Sequence, residues 1–135
     1  MIGVLVVTHG DFGESLIAAA THTLGRELPR VAHVGVGGSD NPDALLAKLR
    51  ELVASVDDGS GVLVLADIFG ATPCNVVGRL LEAGHVEGVA GVNLPMLLRV
   101  LSYREVPLST AVGKVVSGGV DGVLHINSDP CHGKR

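Results

Sequence analysis

The sequence predicts an α/β domain in which helices cover both faces of a parallel sheet. Three observations lead there. Apolar runs rich in β-branched residues alternate with segments of helical period, and glycines or prolines mark each change. The first run, residues 2–7, is apolar throughout, as suits a strand buried on both faces. The composition, 47% hydrophobic but 2% aromatic, matches aliphatic strands packed between helices. At 135 residues the chain has the length of one domain able to bury about two thirds of its unfolded surface, so neither a disulfide nor a metal is needed to hold it.

Each element follows in order. Ile2 to Val7 forms the first strand, and Gly13 to Leu24 the first helix, with Leu16, Ile17, Ala20 and Leu24 at helical spacing and Gly25 to close it. Val31 to Val36 reads as the second strand. Asn41 or Asp40 caps the next helix, Pro42 fills its first turn, and Leu45, Leu46, Leu49, Leu52, Val53 and Val56 make its buried stripe. Gly59 to Gly61 breaks that pattern before the third strand, Val62 to Ala66, which ends at Asp67. Thr72 and Pro73 suit the cap and first turn of a helix running to about Ala83. Val89 to Val92 is a fourth strand closed by Asn93, and Pro95 opens a helix with Met96, Leu97, Val100 and Leu101. Pro107 to Val116 reads as another helix and Gly122 to Ile126 as a last short strand. The domain is expected over residues 1–126, with 127–135 a flexible C-terminal tail.

Charge and composition exclude several classes. A formal net charge of −4, with no basic stripe and no interleaved aromatics, argues against a nucleic-acid partner. Cys74 and Cys131 are far apart in sequence, which speaks against a secreted disulfide framework and for a reduced cytoplasm. The apolar start, Met1 to Val7, has no basic segment before it and stops at Thr8-His9-Gly10, too short for a signal peptide or a membrane span. No cofactor is implied.

Polar residues gather at the carboxyl ends of the predicted strands: Thr8, His9 and Gly10 after the first, Asp67 after the third, Asn93 after the fourth. In open α/β sheets ligands bind at that edge, where the strand order reverses. With the order 2-1-3-4, the first and third strands are neighbours, and His9 would face Asp67 across the crevice. A carboxylate that accepts the Nδ1 proton fixes the tautomer and leaves the Nε2 lone pair free as a nucleophile. It also steadies the positive charge that the ring develops on taking up a phosphoryl group. Gly10, Gly70 and Ala71 let the backbone approach a phosphate closely, and the helix start at Thr72 offers unpaired N–H groups to the anion. Fixed donors and positioning matter most for a loose, charge-rich transition state, and this arrangement needs no metal.

Plainer readings stand beside these. A histidine ending a buried strand is often structural, Asp67 could cap a turn, Thr72 could be an ordinary N-cap and Asn93 a turn former. His22, His33, His85 and His125 share no metal spacing and are read as surface or packing residues. Cys131-His132 could hold a metal, although a two-residue pair is a weak sign of one, and Cys74 reads as a small buried hydrophobe. A receiver domain would need an acidic pair where His9-Gly10 stands. A histidine phosphatase would need an arginine where Thr8 stands, and a metal-binding, chelatase-like domain would need further ligands beside Asp67. A non-catalytic regulatory binding module is the other alternative.

Three stretches carry a resemblance. Val7-Thr8-His9-Gly10, then Ala66-Asp67-Ile68-Phe69-Gly70-Ala71-Thr72-Pro73-Cys74-Asn75, then Gly91-Val92-Asn93-Leu94-Pro95-Met96-Leu97 resemble, in order and spacing, the signatures of the mannose-type IIA family of the phosphotransferase system. The resemblance implies a four-stranded parallel sheet with a fifth, antiparallel edge strand, here Gly122 to Ile126, exchanged between the subunits of a homodimer. It implies that the phosphohistidine carrier HPr phosphorylates His9, that Asp67 is the hydrogen-bond partner of His9, that Thr72 is a donor near the phosphate, and that a IIB-type domain or a regulatory protein accepts the group. Asp11 and Ile68 fall where some members carry bulky or aromatic residues. With no IIB domain in these 135 residues, sugar transport and a regulatory phosphorelay are both compatible with the resemblance.

Overall fold

The structure, a computed structural model, describes residues 1–38, 40–68 and 72–128, with residues 72 and 73 described by backbone alone. Strands β1 (Gly3–His9), β2 (Val31–Val36), β3 (Val62–Ala66) and β4 (Val86–Ala90) alternate with helices α1 (Phe12–Leu24), α2 (Pro42–Val56) and α3 (Thr72–Leu80). Helices α4 (Leu94–Ser102) and α5 (Leu108–Asp121) follow, then a short 3₁₀ turn, Ile126–Ser128. The strands pair in parallel in the order β2-β1-β3-β4, the order that brings the first and third strands together.

Two cores lie on the two faces of this sheet. Along β1 and β3, Val4, Val6, Leu63 and Leu65 pack against α1, α4 and α5, while Leu5, Val7, Val62 and Val64 pack against α2 and α3. All eight side chains are fully buried. That is why these strands read as unbroken apolar runs, and each buried Leu or Val contributes about 1.5–3 kcal/mol relative to an exposed one.

Local signals place most boundaries. Gly25 closes α1 in a left-handed conformation, φ +68°, and its N–H bonds the Thr21 carbonyl. Asn41, rather than Asp40, caps α2, its side chain accepting from the N–H groups of Asp43 and Ala44. Asp40 instead accepts from the Gly37 N–H.

Several boundaries differ from expectation. Strand β1 runs on to His9, which pairs in register with Val36 of β2, so polar residues prolong an apolar strand. Helix α3 stops at Leu80 and β4 begins at Val86, three residues before the predicted start. Gly88 hides that strand in the sequence; the Leu81 side chain packs over it, 3.0 Å from where a Cβ would stand. Helix α5 continues to Asp121, past the expected end at Val116 and through Gly118 and Gly119. A Cβ at either would come within 2.8 Å of the Arg99 or Met96 side chain, so these glycines let α4 and α5 pack closely. Finally, residues 122–125 form no strand in the single chain; Val120, Val123, Leu124 and Ile126 stand exposed beyond the open edge of β4.

At the amino edge of the sheet, Arg104 is buried between α4 and α5. Its guanidinium donates to the carbonyls of Ile2, Pro29 and Arg30. Desolvation lowers its pKa, and the dipoles of three carbonyls stand in for a carboxylate partner. Among the described residues no helix is long and apolar enough to cross a membrane.

Candidate functional site

The register Val7↔Ala66 puts the ends of β1 and β3 side by side, so His9 and Asp67 emerge at one edge as neighbours. One carboxylate oxygen, Asp67 Oδ2, accepts the backbone N–H of His9 at 2.9 Å and lies 2.8 Å from His9 Nδ1. The other, Oδ1, accepts the Ile68 N–H at 2.9 Å. Asp67 thus holds the residue twice, by its backbone and by its ring. An ionised carboxylate only accepts, so the Nδ1 proton points at Asp67, and in the neutral ring the Nε2 lone pair is free. The acid is enclosed and the base is open: the Asp67 side chain is 8% exposed and that of His9 51%.

Partial burial would raise the Asp67 carboxyl, but the N–H groups of His9 and Ile68, together with the His9 ring, outweigh it and hold the group below its ordinary range. The carboxylate therefore stays ionised above the acid range.

Gly10 follows in a left-handed conformation, φ +51°, and its N–H reaches the Val36 carbonyl. Its own carbonyl rests on β2, where a Cβ at Gly35 would stand 2.0 Å from the oxygen. Only glycine at position 35 allows this approach. Gly35 escaped notice in the sequence, although a glycine inside a strand is the signal of such a contact. Thr8, grouped in the sequence with the polar residues that end the first strand, is fully buried and accepts the Gly13 N–H at 2.8 Å.

Other predicted residues fall as follows. Asn93 is the N-cap of α4, accepting from the Met96 N–H and donating to the Gly119 carbonyl, which matches the turn-former reading. The start of α3 lies at the same edge, following β3. Gly70, Ala71, the Thr72 side chain, Cys131-His132 and the tail from residue 129 lie outside the described residues. Asp11 makes no cap bond, and Phe12 and Ile68 are exposed beside the site. No group of three or more His, Cys, Asp or Glu side chains gathers as metal ligands among the described residues. His85, read as a surface or packing residue, is half-exposed and paired, its Nε2 2.6 Å from Asp57 Oδ2 at the opposite edge.

Comparison with known proteins adds the following. The profile of the EIIA-man family, described as "PTS system fructose IIA component", matches residues 3–116. The "PTS system mannose-specific EIIAB component" of Escherichia coli (strain K12) is 33% identical over 132 residues, 96% of this chain and 41% of that protein. The chain thus spans about two fifths of that relative's length. The "PTS system fructose-specific EIIA component" of Bacillus subtilis (strain 168) is 36% identical over 106 residues, 78% of this chain and 72% of that one. Among solved structures, the mannose/sorbose-specific IIA subunit from Enterococcus faecalis superposes with TM-score 0.82 at 25% identity, covering 95% of this chain and 96% of its own. The EIIA component from Streptococcus agalactiae shares the fold at TM-score 0.84 and 23% identity, covering 96% of this chain and all of its own.

Proposed function

The chain belongs to the mannose-type IIA family of phosphotransferase-system carriers, and from that premise we propose that it accepts a phosphoryl group on His9 Nε2 from HPr and passes it to a IIB-type domain or into a regulatory relay. The observation that carries the reading is the single Asp67 oxygen set 2.8 Å from Nδ1 of a half-exposed His9.

The step is a nucleophilic displacement. The Nε2 lone pair forms a bond to phosphorus as the donor's phosphorus–nitrogen bond breaks, and the donor imidazole leaves with that electron pair. His9 keeps its Nδ1 proton, and the ring becomes a phosphoimidazolium whose positive charge faces the Asp67 carboxylate. Transfer onward reverses the sequence toward the acceptor. Asp67 works by charge and orientation and needs to take no proton, because its carboxyl is held below its ordinary range. The enzyme class is then a phosphotransferase with a phosphohistidine intermediate.

Gly10, Gly70, Ala71 and Thr72 are the proposed phosphate-binding positions. Support comes from Gly10, which turns the backbone beside His9, and from α3, whose first N–H groups carry the positive end of the helix dipole and which Gly70 and Ala71 precede in sequence. A homodimer that exchanges residues 122–126 would pair the open edge of β4 and cover Val120, Val123 and Ile126, apolar side chains otherwise exposed. The cytoplasm is the compartment proposed for the relay, in keeping with two cysteines far apart in sequence.

The test is incubation with phosphoenolpyruvate, enzyme I and HPr, beside His9→Ala. One acid-labile, base-stable phosphate per chain is expected, absent from the variant. Labelling that survives the substitution defeats the assignment. Light scattering after size exclusion should give the mass of a dimer, and a monomer would contradict strand exchange.

A further inference from the structure

We propose that Thr8 is a positioning residue for the phosphoryl-accepting imidazole: its buried hydroxyl, by accepting the Gly13 N–H, locks the His9 loop to the start of α1 and so sets where Nε2 points. The inference rests on the role proposed for His9.

Thr8 and Arg104 are the two polar or charged residues buried as whole residues among those described, and Thr8 is fully enclosed. It lies on the same face of β1 as Val4 and Val6, in the apolar core against α1. A hydroxyl in such a place is unfavourable unless it is bonded. Its oxygen receives the Gly13 N–H at 2.8 Å, across five positions of sequence. The bond therefore closes a loop made of His9, Gly10, Asp11 and Phe12.

Gly13 is in the first turn of α1, where N–H groups have no partner within the helix. The residue in position to cap, Asp11, makes no side-chain bond. Thr8 supplies the acceptor instead, and it does so from the residue directly before His9. The contact has little slack: a Cβ at Gly13 would lie 3.0 Å from both Thr8 Oγ1 and Val6 Cγ1.

The same loop is held at two other places. The His9 N–H goes to Asp67 and the Gly10 N–H to the Val36 carbonyl of β2. Those bonds face β3 and β2. Thr8 makes the attachment on the α1 side, and with it the loop is restrained from three directions. A valine would fill the same space in the same core, so if packing were the whole role the hydroxyl would be dispensable.

Thr8→Val and Thr8→Ser separate the two possibilities. With phospho-HPr as donor, Thr8→Val should lower kcat about tenfold while leaving KM for HPr unchanged, because ring placement suffers and the exposed docking surface does not, and Thr8→Ser should recover to within about twofold of the parent. The free protein gives a second readout that needs no donor. In long-range ¹H–¹⁵N spectra the His9 ring of the parent should show a protonated Nδ1 and a bare Nε2, and Thr8→Val should move both signals toward those of a freely exchanging imidazole. If Thr8→Val keeps the parental kcat and ring signals, whatever its thermal stability, the proposal is overturned. Should that variant not fold, Gly13→Ala, which crowds the same hydroxyl, carries the identical test. A parent that HPr never labels would refute the phosphoryl-carrier reading, while the ring spectra would still decide the role of Thr8.

Discussion

Two histidine–aspartate pairs stand at opposite edges of one sheet. At the carboxyl edge His9 Nδ1 lies 2.8 Å from Asp67, and at the amino edge His85 Nε2 lies 2.6 Å from Asp57. The chemistry of the two pairs is nearly the same, and their surroundings are not. Asp67 Oδ2 also takes the backbone N–H of His9, so the acid orients that one residue. Asp57 sends Oδ1 to the N–H groups of Gly59 and Gly61 and so closes the turn into β3. His85 is fastened to a turn, and Glu82 before it and Glu87 of β4 after it flank it in sequence.

Helix direction makes the larger difference. Each of α1 to α4 starts just after a strand ends, so helix N-termini and their unpaired N–H groups gather at the carboxyl edge, while α2 and α3 end at the other. An anion is stabilised at the first edge and repelled at the second. A histidine held by an aspartate becomes a candidate phosphate site only where the backbone field also favours phosphate.

Substitutions at both edges test this contrast. The largest effect is expected from exchanging the two histidines for alanine: His9→Ala should lose all labelling from HPr, and His85→Ala should be labelled as the parent is. Labelling of His85 in the His9 variant would break the comparison. Next, Asp67→Ala should slow transfer about 100-fold with the fold retained, since a reacting group misplaced by about 1 Å loses that much. Single-turnover quench-flow would measure it, and an unchanged rate would remove Asp67 from the mechanism.

At the amino edge the effects should fall on stability. Arg104→Met leaves three carbonyls without their donor and is expected to cost about 2 kcal/mol in urea denaturation, with the labelling of the folded fraction intact. His85→Ala should cost about 1 kcal/mol, because its pair with Asp57 is partly open to water.

The smallest effect is on pH dependence. Burial would raise Asp57, but the N–H groups of Gly59 and Gly61 and the His85 ring lower it, and Asp67 is lowered in the same manner. Carboxyls with folded values below their ordinary 3.8 stabilise the fold above that pH. The contribution is lost as pH falls through 3.8 toward the folded values. Melting temperature followed from pH 5 downward should decline less steeply in Asp57→Asn and Asp67→Asn than in the parent; identical slopes would mean that the two carboxyls are not held below their unfolded values.

Much of this was legible in the residues. Strands β2 and β3 were read to the residue, the cap at Gly25 was visible and that of α2 was narrowed to Asn41 or Asp40, because apolar runs and capping side chains act locally. His9 and Asp67 were visible because each ends a strand. What escaped depended on partners distant in sequence. The glycines of β4 and α5 look like breakers until Leu81, Arg99 and Met96 are seen packed against them. Arg104 went unremarked in the sequence, and its guanidinium donates to the carbonyls of residues 2, 29 and 30. Gly35 matters because the Gly10 carbonyl lies against it.

By itself the sequence determined the alternation of strand and helix, the apolar faces of the central strands and the cluster of polar residues where those strands end. These follow from period, capping and burial preference, which a short stretch of chain carries within itself. Tertiary structure alone decided that a single oxygen of Asp67 meets both the backbone and the ring of His9, and that Thr8 reaches the start of α1. Those contacts depend on the relative placement of β1, β3 and α1 to within a fraction of an ångström, and only the packing of both cores sets that placement.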